Sequence, residues 1–256
     1  MKFITVASSK GGIGKTTVAL GVAGALKKMG KEVLICDLDF DNACLDILTD
    51  SDSVYTIADA ANGVCEVADA VVKTESGINL LTAAGLGQEY PDDFADKVAL
   101  TIKEAAETVA ADVVILDTGA GESLGFDIAS GISDYAIVVA THSPVSLRSA
   151  DNTAARLKDA GVVETGLVIN SFDAVGVIKY GQHLGLTDLI DNAKVRLLGV
   201  VPYDYELVLE AERDKNAHPS KDSESAFNNI AKRLNGENVP IFDGMKKLRR
   251  VRRKLF

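Results

Sequence analysis

Ser9-Lys10-Gly11-Gly12-Ile13-Gly14-Lys15-Thr16-Thr17 follows an apolar run, Phe3-Ile4-Thr5-Val6-Ala7, and opens a segment of helical periodicity. Strand, glycine loop and helix in that order suit a phosphate chain. Gly11, Gly12 and Gly14 let the backbone approach an anion with no Cβ in the way. Successive N–H groups, from Lys10 through Ile13 to Thr17, can then turn inward as an anion nest. The new helix adds its unpaired N–H groups and the positive end of its dipole. In this reading Lys15 reaches the β- and γ-phosphates, and the Thr16 hydroxyl is a ligand for Mg²⁺. Ser9 stands where the usual G-x-x-x-x-G-K-[ST] pattern has its first glycine.

Outward from the loop, strand-like and helical segments alternate. Val18, Val22, Ala25, Leu26 and Met29 make one apolar helix face over residues 15–29, and Gly30 is placed to end that helix in the left-handed conformation. Glu32 to Asp39 reads as a buried strand ending in acids. In open α/β sheets ligands bind beyond the carboxyl ends of the strands, so Asp37 and Asp39 are expected on one side, facing the phosphates or Mg²⁺. Thr56 to Ala60 and Val64 to Val72 read as small helices, 78–83 as a strand and 92–110 as a longer helix. Asp112-Val113-Val114-Ile115-Leu116-Asp117-Thr118-Gly119-Ala120-Gly121 is a strand ending in an aspartate, then glycines. Asp117 is expected to hold Mg²⁺, with a loop behind it free to move when the γ-phosphate leaves. Further strands are read at 135–140, 166–170 and 197–202, with helices at about 146–160, 204–214 and 222–235. Repeated β/α alternation is the signature of a doubly wound α/β fold: one domain, a mostly parallel sheet with helices on both faces.

Length, 256 residues, fits that single domain, and 47% hydrophobic with 25% charged residues is ordinary for a globular chain. A formal net charge of −10 argues against general nucleic-acid binding. Cys36, Cys44 and Cys65 form no C-x-x-C, so neither a disulfide framework nor a cysteine-pair metal site is suggested. His142, His183 and His218 show no ligand spacing. No run reaches the length of a membrane span and no leader pattern precedes the first strand, so the expected location is cytoplasmic.

Lys10 is a second, distinctive lysine in the loop. With it, Lys-Gly-Gly-Ile-Gly-Lys-Thr-Thr resembles the deviant Walker A loop of the MinD/ParA/nitrogenase-iron-protein superfamily of P-loop ATPases. The resemblance runs over nearly the whole chain, through Asp37-Leu38-Asp39, the Asp117 strand end, Val168-Ile169-Asn170 and Gly199-Val200-Val201-Pro202, and is strongest to the MinD branch. It implies a homodimer with ATP sandwiched between the protomers and Lys10 reaching the partner's nucleotide. It implies that Lys15 and the backbone of 11–17 bind phosphates and that Thr16 binds Mg²⁺ with support from Asp117. Asp39 would orient or activate the attacking water and assist at the metal. Asn170 and the segment around Pro202 would contact adenine. Two switch segments depart from the MinD pattern: Ala43-Cys44 replaces its Arg-Asn pair, and Gly119-Ala120-Gly121, closer to the flagellar regulator FlhG, replaces Pro-Ala-Gly. These departures bear on the activator or effector protein the family uses, not on the phosphate groups.

Residues 241–256 are expected to form a separate element after an ATPase domain at 1–240. Met245 to Phe256 carries seven Lys or Arg and no acid, which makes the rest of the chain more acidic than the whole. Met245, Leu248, Val251 and Leu255 fall on one helical stripe, with Phe256 beside it. That pattern suits an interfacial helix on anionic lipid, each basic residue contributing about 1 kcal/mol near such a surface. One copy should hold weakly; two copies on a dimer gain by avidity, on the order of 10²-fold. The expected function is a MinD-like ATPase, peripheral on the inner membrane face when ATP-bound, that places a division site. Alternatives are an FlhG-like flagellar regulator and a ParA-like DNA segregation ATPase. A basic tail for nucleic acid is the other reading of the terminus.

Overall fold

β-Branched runs favour strands, the amphipathic segments between them favour helices, and parallel strands need such crossovers. The structure, a computed structural model, describes residues 1–83, 90–174, 176–177, 194–211 and 219–241. β1 (Lys2–Ala7) leads through the glycine loop into α1 (Lys15–Lys28), and β2 (Val33–Leu38) follows. Next come the short helices α2 (Leu45–Thr49), α3 (Ile57–Ala61) and α4 (Val67–Ala70), then β3 (Val71–Lys73) and β4 (Asn79–Leu81). The order continues with α5 (Phe94–Thr108), β5 (Val113–Thr118), α6 (Leu124–Ile132), β6 (Tyr135–Ala140) and α7 (Pro144–Asp159). β7 (Glu164–Phe172), β8 (Leu197–Pro202), α8 (Tyr205–Ala211) and α9 (Lys221–Leu234) complete the described chain.

The strands join in one eight-stranded sheet, ordered β3-β4-β2-β5-β1-β6-β7-β8 and parallel except for the β3–β4 pair. Alternation along the strands feeds two layers. Ile4, Val6, Ile35, Ile115 and Val139 pack under α1 and α9, while Leu34, Cys36, Val114 and Leu116 pack under α3 to α6. Ala136, Val138, Leu167 and Ile169 meet α7 on that second side. The doubly wound, mostly parallel architecture is therefore as expected. It puts β1, with β5 and β6 on its flanks, at the middle of the sheet, and the glycine loop at its carboxyl edge. Among the described residues no helix is long and apolar enough to cross a membrane.

Local chemistry explains where elements stop. Gly30, at φ +80°, lets its N–H reach the Lys27 carbonyl at 2.9 Å and that of Lys31 reach the Leu26 carbonyl at 3.2 Å, closing α1 as expected. The segment Val64–Val72 differs from the helix expected there: helix covers only Val67–Ala70, and Val71–Lys73 pairs antiparallel with β4. Val71 then packs with one core layer and Val72 with the other, an alternation only a strand allows. α6 was not legible: no element was expected over its residues. Ser123 caps it by accepting from the Phe126 N–H at 3.2 Å. Gly125 lets it press on β2, for a Cβ there would stand 1.9 Å from the Leu38 carbonyl oxygen.

Candidate nucleotide site

The loop between β1 and α1 is held from three sides. The Ser8 hydroxyl accepts from the Lys10 N–H at 3.0 Å, and the Ser8 carbonyl accepts from the Gly121 N–H at 3.0 Å, tying the glycine loop to the loop after β5. The Ser9 hydroxyl bonds the Ser149 hydroxyl and donates to the Ser149 carbonyl at 3.2 Å, reaching α7. Asn170 Nδ2 donates to the Ile13 carbonyl at 2.8 Å. Gly14, at φ +85°, is required twice over: the conformation is left-handed, and a Cβ would fall 2.2 Å from Asn170 Nδ2. No side chain caps the first turn of α1, so its N–H groups stay open toward the loop. Gly11 and Gly12 are exposed, Ile13 and Thr17 half-buried.

The acids converge on the same edge by register. β5 lies between β1 and β2, with Asp117 level with Val6 on one side and Asp37 on the other. Asp117 is 1% exposed, and its Oδ1 has no hydrogen-bond partner. Burial raises its pKa to about 8, an effect that Thr16 opposes by hydrogen bonding and Lys15 by its charge, while Asp37 and Asp39 add to it. A buried carboxylate oxygen without a donor is a place where a cation belongs, so these residues fit Mg²⁺. Among the described residues no group of three or more His, Cys, Asp or Glu could hold a metal ion by itself.

Asp39 and Asp37 diverge in what they face. A Cβ on Gly119 would stand 3.1 Å from Asp39 Oδ1, so this carboxylate lies against the loop after β5; it also accepts from the Asn42 N–H at 3.1 Å. Asp37, expected to face the phosphates, instead clamps backbone. It accepts from the N–H groups of Asp39 at 2.9 Å, Cys44 at 3.0 Å and Leu45 at 3.1 Å. Burial pushes its pKa to about 6 against those three bonds, and the Asp39 charge pushes it further. Cys44 was read as a departure from the family pattern and as part of no cysteine pair, not as a neighbour of the site. Its thiol lies half-buried beside Thr16 and the acids, raised to about 11 by burial and by Asp37, Asp117 and Asp39. Ser149 was missed altogether; nothing in the sequence of α7 marks it as a neighbour of Ser9.

Of the residues named from sequence, Lys15, Thr16, Asp39 and Asp117 come together. Lys10 is half-buried in the loop, and its ammonium is in none of the ion pairs among the described residues. Asn170 is buried against the loop, while Pro202 pairs with Phe172 at the end of β8. His142 packs edge-on against Phe172 at 5.3 Å. His183, His218 and Met245 to Phe256 lie outside the described residues.

Comparison with known proteins agrees with this geometry. A family described as "AAA domain" matches residues 1–160. The chain is 29% identical to the septum site-determining protein MinD of Synechocystis, over 99% of this chain and 98% of that one. It belongs to the MinD/ParA-type ATPases. The putative septum site-determining protein MinD of Emiliania huxleyi is 30% identical over 94% of this chain and 90% of its own. Among solved structures, MinD in the MinC:MinD cell division complex of Aquifex aeolicus superposes with TM-score 0.81 at 28% identity. That match covers 94% of this chain and 98% of the other. The activity is therefore ATP hydrolysis at a P-loop.

Proposed function

We propose that the chain is a MinD-type switch that couples ATP to pairing and pairing to a membrane grip, and that it serves septum placement. Lys15 and the backbone N–H groups of residues 11–17 hold the phosphates. Thr16 and Asp117 hold Mg²⁺, which would neutralise phosphate charge. Asp39 orients the attacking water from its place against Gly119. Lys10 reaches the partner's nucleotide, and Asn170 with the Pro202 segment borders the adenine. The observation that carries this reading is the orphaned Asp117 Oδ1 beside Thr16 and Lys15, at the mouth of an uncapped helix. The Gly121–Ser8 bond supports the coupling, since a change at the phosphates moves both loops together. Septum placement and an effector partner are inferred from relatives: curated ones are named septum site-determining proteins, and the Aquifex protein was solved with MinC.

In this reading residues 241–256 are the lipid-binding element, and the paired state grips because two copies act together. The test is co-sedimentation with anionic liposomes in Mg–ATP and Mg–ADP, for the full chain and for a chain lacking residues 245–256. Retention of the full chain with ATP, lost with ADP or on truncation, is expected. Retention indifferent to nucleotide and truncation contradicts the reading.

A further inference from the structure

The amino-terminal edge of the sheet, opposite the glycine loop, holds a cavity of about 360 Å³. It is lined by Lys2 at the start of β1, Tyr135 at the start of β6, Glu164 at the start of β7, Arg196 just before β8, and Arg233 and Glu237 at the end of α9. In a chain of net charge −10, three cations meeting at one cavity is against the grain of the surface. The ion pairs of the described residues involve Lys27, Lys28, Lys97 and Arg156, leaving Lys2, Arg196 and Arg233 without a paired carboxylate.

The cavity is built rather than incidental. Arg233 is fixed by a bond from Nη1 to the Val239 carbonyl at 2.9 Å, yet its Nε is buried with no acceptor. A charged donor buried without an acceptor is costly, so Arg233 is held in this wall against a penalty. The Lys2 ammonium sits 4.9 Å from the centre of the Tyr135 ring. Tyr135 reaches its place because Gly166 has no side chain: a Cβ there would lie 2.2 Å from the Tyr135 hydroxyl oxygen. Arg196 and Arg233 act electrostatically on that hydroxyl, against burial and the Glu164 charge. Tyr135, Arg196, Arg233 and Lys2 line one space, and a phenol O–H, guanidinium N–H groups and an ammonium match the oxygens of a phosphate. Glu164 and Glu237 are exposed and can turn to water. The volume leaves room for the group the phosphate is attached to.

We propose that this cavity binds a phosphate ester, carried either on an anionic lipid headgroup or on a soluble molecule. Its wall at Gly236 to Asn238 belongs to the segment through which the chain runs from α9 toward its basic terminus. The inference stands apart from the nucleotide site, which lies at the other edge of the sheet.

The test titrates the full chain, in saturating Mg–ADP, with glycerol 1-phosphate and with a short-chain phosphatidylglycerol below its micelle concentration. Calorimetry is run on the natural chain and on the double variant Lys2→Gln/Arg196→Gln, with nucleotide occupancy and melting temperature measured on the same samples. Both changed residues are remote from the glycine loop, so a difference between the chains reports this cavity alone. Saturable binding that weakens about tenfold or more in a double variant that melts normally is expected. Binding by both probes assigns the source as soluble or lipid phosphate alike; binding by the lipid alone assigns a headgroup. Should the double variant melt early, Tyr135→Phe replaces it and must weaken binding in the same direction. No saturable binding by either probe, or equal affinity in natural and variant chains, overturns the proposal. Nucleotide occupancy on those samples keeps this failure separate from failure of the ATPase reading.

Discussion

Asp117 concentrates the electrostatic tension of the site. A carboxyl whose pKa stands near 8 instead of 3.8 keeps its proton in the folded chain where the unfolded chain has lost it. The metal-free chain therefore loses stability as pH rises from about 4 to about 8, and Asp37, raised to about 6, adds to the lower part of that slope. Asp117→Asn should flatten the slope, so the metal-free variant melts above the natural chain at pH 8 and close to it at pH 4. Thermal melts across that range check this; parallel curves would contradict it. The same proton must leave before Mg²⁺ is bound, so Mg²⁺ affinity of the natural chain should rise with pH up to about 8. Asp39, by contrast, lies against Gly119, where its carboxylate accepts from the Asn42 N–H. Asp39→Ala should bind ATP with unchanged affinity and hydrolyse it about 10²-fold more slowly, as steady-state turnover beside equilibrium binding will show.

Helix α6 shows how an element can be required by packing and invisible in pattern. Its glycine and serine content argues for a loop, but Gly125 is there because Leu38 of β2 leaves no space for a methyl group. Gly125→Ala should cost about 3 kcal/mol, read from urea unfolding, because the Leu38 carbonyl is backbone and cannot step aside. The segment at Val64–Val72 misled for a related reason. A four-residue helix running directly into a three-residue edge strand is too short for either periodicity to declare itself. The long elements were legible because burial imposes a period. β2 and β5 are buried along their whole length and read as unbroken apolar runs ending in acids. Asp37 was misread because alternation gives a side chain's direction but not its partners. The backbone N–H groups of Cys44 and Leu45 that claim it come from a turn no pattern announced.

At the scale of the molecule, the parallel sheet order carries most of what the sequence foretold. It brings the ends of β1, β2 and β5 to one edge, so Lys15, Thr16, Asp39 and Asp117 meet although they span a hundred residues. Contacts such as Ser9 with Ser149, or the bond by which Asn170 holds Ile13, were not legible, since only the folded strand order makes them neighbours. The central claim is that ATP in this loop drives pairing through Lys10. Sedimentation of the Asp39→Ala chain, which should hold ATP without turning it over, tests that most directly. With Mg–ATP the account predicts the mass of two chains, with Mg–ADP the mass of one, and with Lys10→Ala added the mass of one in both. A single-chain mass in ATP, or a pair that forms regardless of nucleotide or of Lys10, would contradict it.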